Sequence, residues 1–197
     1  MKCLAFLLTA LALACSPPSE PVQDWVDPTL RLADIGKACT ADSPATVLTG
    51  PALDSLPWPR APLTNAMWID AALTIEGGVG GVFANHGVYY LWLTDTTKRV
   101  EAITGLTAAG LIGPPFTVES TVALQARWDF AQLGDWYAYL IPKLVPSLRS
   151  SGIDEANNRL RFGVADEAGR EQVEAILQTL DLPCNLVALY IAPVIGW

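Results

Sequence analysis

Few residues in this chain have the means to do chemistry, and their placement narrows what they could do. Among 197 residues there are one His and four Cys. His86 falls within Asn85-His86-Gly87, where Asn and Gly supply the positive φ of a tight hairpin turn. It reads as an exposed turn residue, and a proton shuttle would need partners that the neighbouring sequence does not supply. Asp154-Glu155 and Asp166-Glu167 are residue types suited to acid–base work or Ca²⁺ binding. Asp95 and Asp166, however, each stand where a helix begins. A carboxylate there accepts backbone N–H groups and meets the positive end of the helix dipole. Gly77-Gly78-Val79-Gly80-Gly81 follows a helix instead of opening one, and it lacks the Lys-Ser/Thr of a phosphate loop. The expectation is a chain that is not an enzyme, with no catalytic residue, no metal site and no cofactor.

The N-terminus points to export. Met1-Lys2-Cys3, an apolar run from Leu4 to Ala14 and then Cys15 form a cation, an apolar stretch and a small-residue site, as a secretory signal requires. The run is too short to cross a bilayer. Ala12-Leu13-Ala14 fits ordinary cleavage, which would leave the protein secreted or periplasmic. Leu11-Ala12-Leu13-Ala14-Cys15 also resembles the lipobox of bacterial lipoproteins, with Ala12 where Leu is usual. Ser16-Pro17-Pro18-Ser19-Glu20-Pro21 then looks like the polar tether of a lipoprotein. The expectation is a signal peptide over 1–14 and lipidation of Cys15, with several acyl chains giving a lasting anchor in the cell envelope, facing away from the cytoplasm.

Cys39 and Cys184 are the Cys left after that processing, in a compartment where disulfides persist. One disulfide is the favoured reading and a free thiol pair the other. Two Cys and one His are too few for a metal site.

Composition removes further classes. The net charge of −8 opposes binding to nucleic acid, whose phosphates must be met by cationic surface, and to anionic membrane surface. Apolar residues at 51% and charged residues at 16% exclude global disorder.

The elements follow from periodicity. Residues 15–28 read as a Pro-rich tether, and 29–63 as an irregular segment that holds Pro44, Pro51, Pro57, Pro59 and Pro62. A first module over 64–126 contains a helix at 66–75 capped by Asn65. Strands at 82–84 and 88–93 follow, then a helix at 96–109 with Val100, Ile103 and Leu106 inward, then a strand at 116–126. A second module over 127–197 contains a helix capped by Asp129 and kinked or divided at Pro142. A strand from Gly152, a turn at Asn157-Asn158 and a strand at 160–164 follow. A helix capped by Asp166 carries Val173, Ile176, Leu177 and Leu180, and a last strand spans Leu186-Val187-Ala188-Leu189-Tyr190-Ile191-Ala192. A shift of 71 brings Gly81 onto Gly152, Gly87 onto Asn158 and Asp95 onto Asp166. The fold class is therefore α+β, with two repeated helix–hairpin–helix–strand modules, each with a three-stranded sheet.

Gly80-Gly81-Val82-Phe83 with Gly87-Val88-Tyr89-Tyr90-Leu91-Trp92-Leu93-Thr94-Asp95 resembles the first module of the pro-regions of secreted bacterial proteases of the streptogrisin and alpha-lytic type. Ile153-Asp154-Glu155-Ala156-Asn157-Asn158-Arg159-Leu160 is similar to their second module. The likeness spans roughly residues 65–192, and the chain has no Gly-Asp-Ser-Gly nucleophile motif. The resemblance implies a free-standing protein-binding module of chaperone or inhibitor type, and no catalytic residue carries over. The last strand, including Val187, is the candidate partner-binding edge, with a buried central strand as its alternative. A second function is binding of a ligand or carbohydrate through exposed Trp. Of the seven Trp, Trp68, Trp92 and Trp136 lie on elements and suit a core, whereas Trp25, Trp58, Trp128 and Trp197 lie near tethers or element ends.

Overall fold

Apolar runs over 88–93 and 160–164 anchor two hairpins, and each is closed by a helix and a third strand. The computed structural model describes residues 33–35, 65–180 and 182–192. The signal segment, Cys15, the tether, Cys39, Trp25, Trp58 and Trp197 lie outside them.

In chain order the elements are β1 (Ala33–Ile35), α1 (Ala66–Thr74), β2 (Val79–Asn85), β3 (Val88–Leu93), α2 (Arg99–Ala108), β4 (Thr121–Gln125), α3 (Phe130–Leu144), β5 (Leu148–Asp154), β6 (Arg159–Val164), α4 (Glu167–Gln178) and β7 (Val187–Ile191). The protein is α+β and the two modules repeat the same order. One sheet runs β2-β3-β4 and the other β1-β7-β6-β5. In each module the hairpin is antiparallel and the third strand joins it in parallel, Leu91 opposite Ala123 and Phe162 opposite Leu189.

The repeat is closer than one shift of 71 allows. Val79 corresponds to Leu148, an offset of 69, and Val88 to Arg159, an offset of 71. The second hairpin loop, residues 155–158, is two residues longer than His86-Gly87, which accounts for the change. Gly81 therefore matches Ser150 and not Gly152, and β5 begins at Leu148, earlier than its sequence suggests. Both hairpins also break register in the same place, between Val79 and Gly81 and between Leu148 and Ser150.

Local chemistry sets most boundaries. Asp129 accepts the Gln132 N–H at 2.8 Å while Gln132 Oε1 accepts the Asp129 N–H at 3.1 Å, a reciprocal capping box. Asp166 accepts the Gly169 N–H at 2.9 Å. Asp95 accepts the Thr97 N–H at 3.0 Å, but it caps a short 3₁₀ turn over Thr96–Lys98 that precedes α2. Asn65 precedes α1 without a side-chain capping bond. Pro142 lies inside α3, which continues to Leu144.

The larger core joins α3 and α4 to the second sheet through Leu133, Trp136, Leu140, Val173, Leu177, Leu160, Phe162, Val187 and Leu189. The smaller one joins α1 and α2 to the first sheet through Ala71, Ile103, Leu106, Leu91 and Leu93. Val100 stands apart at 50% exposed. Trp136 is buried, and Trp68 and Trp92 are half-buried. Trp128 is only 1% exposed. It belongs to the core and not to an accessible aromatic surface, because the linker carrying it is drawn inward.

Two expectations are corrected by the second sheet. Residues 29–63 are not irregular throughout, since Ala33–Ile35 pairs antiparallel with Leu189, Ala188 and Val187. That pairing makes the second sheet four-stranded. It also removes the last strand, Val187 included, as a partner-binding edge: β7 lies between β1 and β6, and Val187 and Leu189 are fully buried. An apolar run satisfied both placements, and the added strand selects the central one. Leu189→Pro deletes an N–H from a strand paired on both sides, so the variant should lose the native circular dichroism of the folded protein. Retention of a native spectrum would contradict the placement.

Candidate functional site

The first sheet has two unlike faces. Leu91 and Leu93 are buried under α1 and α2. Side chains alternate along a strand, so Tyr90 and Trp92 lie on the opposite face. Register extends that face across all three strands, with Phe83 opposite Tyr90, Tyr90 opposite Val122, and Trp92 opposite Leu124. The rings of Phe83 and Tyr90 stand 4.7 Å apart at 12°, and those of Phe83 and Trp92 stand 6.2 Å apart at 28°. Val88 and Val122 are 38% and 40% exposed, and the three aromatic residues are half-buried. Together they form a contiguous, uncharged, apolar strip on the sheet face opposite α1 and α2.

The ring geometry bears on which ligand fits. Near-parallel rings at cross-strand spacing use their faces on one another. A sugar stacks on an open ring face, whereas a packed apolar surface meets ring edges and aliphatic side chains equally well. The strip suits a protein surface better than a saccharide.

One end of the strip is fixed by the second module. Trp92 Nε1 donates to the carbonyl of Glu155 at 2.8 Å. The Val82 N–H faces the Glu155 carboxylate. Next to it, Asn158 is 3% exposed and uses its whole carboxamide. Its Oδ1 accepts the N–H groups of Arg127 at 2.9 Å and Trp128 at 3.0 Å, and its Nδ2 donates to the carbonyls of Trp128 at 2.8 Å and Gly80 at 3.3 Å. Gly80 allows that approach: a Cβ there would lie 2.7 Å from Asn158 Nδ2 and 2.7 Å from the Trp128 oxygen. An apolar layer of Ala72, Phe130 and Ala131, with Trp68 5.9 Å from Phe130, completes the seam between modules.

The residues with chemical potential are mostly structural. His86 is exposed in its turn with φ 47°. Asp154 lies 3.5 Å from Arg159 Nε and accepts Asn157 Nδ2 at 2.9 Å. Asp166 caps α4, and Glu167 pairs with Arg170. The Gly run bonds back to the end of β3, the Thr94 N–H reaching the Gly78 oxygen and the Asp95 N–H the Gly77 oxygen, each at 3.0 Å. No cluster of three His, Cys, Asp or Glu suited to a metal occurs among the described residues. No helix among them is long and apolar enough to cross a membrane. Cys184 is 9% exposed, with an Arg127 guanidinium N–H 3.3 Å from its sulfur.

No family model, curated protein or solved structure matches the chain. The functional reading therefore rests on the residues themselves. Phe83, Tyr90 and Asn158 carry the strip and the seam. The strand alternation around Leu91 could have located the first two. Asn158 showed only as a turn residue, because its partners lie 30 and 78 residues away.

Two carboxyls at the seam carry a pH signature. Burial raises the pKa of Glu155 against the Val82 N–H, which lowers it, and the neighbouring Asp154 charge adds to the rise. Burial likewise raises Asp129 against its cap bonds. A folded-state pKa above the unfolded one means that the native state holds the proton more tightly. The stability this lends is full below the unfolded carboxyl pKa and is lost as pH rises through the folded value. Glu155→Gln retains an acceptor for the Val82 N–H without the charge. Denaturant titrations should show it more stable than wild type at pH 7, with the gain vanishing below pH 4, the usual carboxyl range. Equal stability of the two proteins at both pH values would contradict this.

Proposed function

We propose that the protein is a non-enzymatic, lipid-anchored module of the cell envelope that faces away from the cytoplasm and binds a protein partner through the outer face of its first sheet. The observation that carries the reading is the apolar strip of Phe83, Tyr90, Trp92, Val88, Val122 and Leu124. Contiguous exposed apolar surface is uncommon on a protein with no use for it, and aromatic anchors dominate protein interfaces. The likeness of residues 65–192 to protease pro-regions points the same way, to a chaperone or inhibitor that works by binding. Lipidation of Cys15 rests on Leu13-Ala14-Cys15 and the Pro-rich stretch after it. The reading calls for no cofactor.

A Cys39–Cys184 disulfide belongs to the same proposal, and the register of β1 supports it. Ile35 lies opposite Val187 in an antiparallel pair. Cys39 is four residues after Ile35 and Cys184 three before Val187, so the chain leaves β1 toward Cys39 at the end of the pair where it enters β7 from Cys184.

The test places a photo-crosslinking residue at position 88 of the full chain in its native membranes. The wild-type background should give one discrete cross-linked protein, and the Val122→Glu/Leu124→Glu double variant, with the same photo-crosslinker at position 88, should lose it at least tenfold. Cys15→Ala should move the chain out of the membrane fraction. Equal cross-linking by the double variant would refute the face as the interface.

A further inference from the structure

The two modules treat one edge differently. β7 and β4 are equivalent third strands, each parallel to the second strand of its hairpin. On its far side β7 takes an antiparallel strand, β1, opposite Val187, Ala188 and Leu189. The far side of β4 is the edge of its sheet. The corresponding positions are Thr121, Val122 and Ala123.

The ladder shows which groups that edge presents. In a parallel pair the N–H and C=O of one residue point to the same side, and successive residues alternate. The Ala126 N–H reaches the Leu93 carbonyl at 2.8 Å, so even-numbered residues here face β3 and odd-numbered ones face outward. Thr121 agrees, since its N–H goes to the Thr117 oxygen at 3.0 Å and its carbonyl accepts Arg99 Nη1 at 2.9 Å. The outward groups of Ala123 have no partner among the described residues.

Such an edge is normally blunted by Lys, Pro or an inward charge. Thr121-Val122-Ala123-Leu124-Gln125 has none in the strand itself, and the Arg99 guanidinium reaches the edge at the Thr121 carbonyl. Its pattern is also symmetric about Ala123: polar, aliphatic, small, aliphatic, polar. An antiparallel strand with the same sequence would set Val122 against Leu124 and Thr121 against Gln125 on both sides of a two-fold axis. Self-complementarity of this kind is what an isologous dimer needs.

We infer that β4 pairs with β4 of a second copy of this chain, with Ala123 opposite Ala123 as the pair that exchanges both N–H···O bonds. The result is a continuous six-stranded sheet across the axis. Val122 and Leu124 carry the aromatic strip of one copy into that of the other. A net charge of −8 on each copy opposes the contact, so the dimer is weak and tightens as salt screens the repulsion. The contact uses the strand edge and leaves the outer face open, so it stands or falls apart from partner binding.

The experiment is amide hydrogen exchange on the full chain, purified in detergent from its native membranes, over a hundredfold range of concentration, with sedimentation velocity on the same samples. The Ala123 amide should exchange at least tenfold more slowly at the highest concentration than at the lowest. Twice the chain mass should appear over the same range, at lower concentration in 0.5 M salt. Ala123→Pro removes only an outward N–H and should keep its circular dichroism while remaining monomeric. The exchange series needs no variant, so it decides the matter even if Ala123→Pro fails to fold. A single chain mass with a fast Ala123 amide overturns the proposal. So does a single mass with that amide slow at every concentration, which would show the chain's own residues covering the edge.

Discussion

The carboxamide of Asn158 is the constraint on which the arrangement of the two modules depends. A side chain with two donors and two acceptor sites is buried where three pieces of backbone meet: the hairpin loop of the second module, the linker at Arg127-Trp128, and the bulge at Gly80 in the first module. Each bond is worth about 1 kcal/mol net, and each partner left unpaired in a buried place costs more. Asn also tolerates the left-handed backbone required at φ 48°. Gly80 must lack a Cβ for the approach to occur. From this node follow the inward turn of Trp128, the start of α3 at Asp129, and the position of the Glu155 loop beneath Trp92.

The seam explains why the repeated modules are not interchangeable. The second hairpin has two extra loop residues, and that longer loop reaches the first module. The first hairpin closes with only His86-Gly87 between its strands. The outer sheet faces differ in the same spirit. On the second sheet, Ser150 and Tyr190 hydroxyls meet at 2.6 Å across Gly163, whose missing Cβ would lie 2.2 Å from the Ser150 oxygen. Arg161 is exposed in the adjacent row. On the first sheet the equivalent surface is aromatic and uncharged. Among the described residues, one module is finished on its outer face and at the edge of its third strand, and the other presents both.

What was legible in the sequence was local. Asp95, Asp129 and Asp166 cap because their carboxylates reach N–H groups two or three residues on. The hairpins were legible because Asn and Gly mark turns beside apolar runs. The start of β5 was not, because Arg149-Ser150-Ser151 has little strand propensity and is held by pairing with β6. β1 is a strand only because β7 offers an edge, and three residues carry no period of their own. The same long-range pairing decided that β7 is central. The functional strip was not legible: Trp92 suited a core, and its grouping with Phe83, Tyr90 and Val122 on the outer face is a matter of register. Asn158 looked like any turn Asn, since nothing local announces a bond to Gly80.

The central claim is that the Asn158 node makes the two modules one cooperative unit. The measurement that tests it most directly is residue-resolved hydrogen exchange through a denaturant titration, comparing wild type with Asn158→Ala. In wild type, the core amides of Leu91 and Phe162 should report the same opening free energy, close to the global value. In the variant the global value should fall by roughly 3–4 kcal/mol, in line with four lost bonds, and the Leu91 amide should open before that of Phe162. Separate openings already present in wild type, or a variant as stable and as cooperative as wild type, would contradict the account.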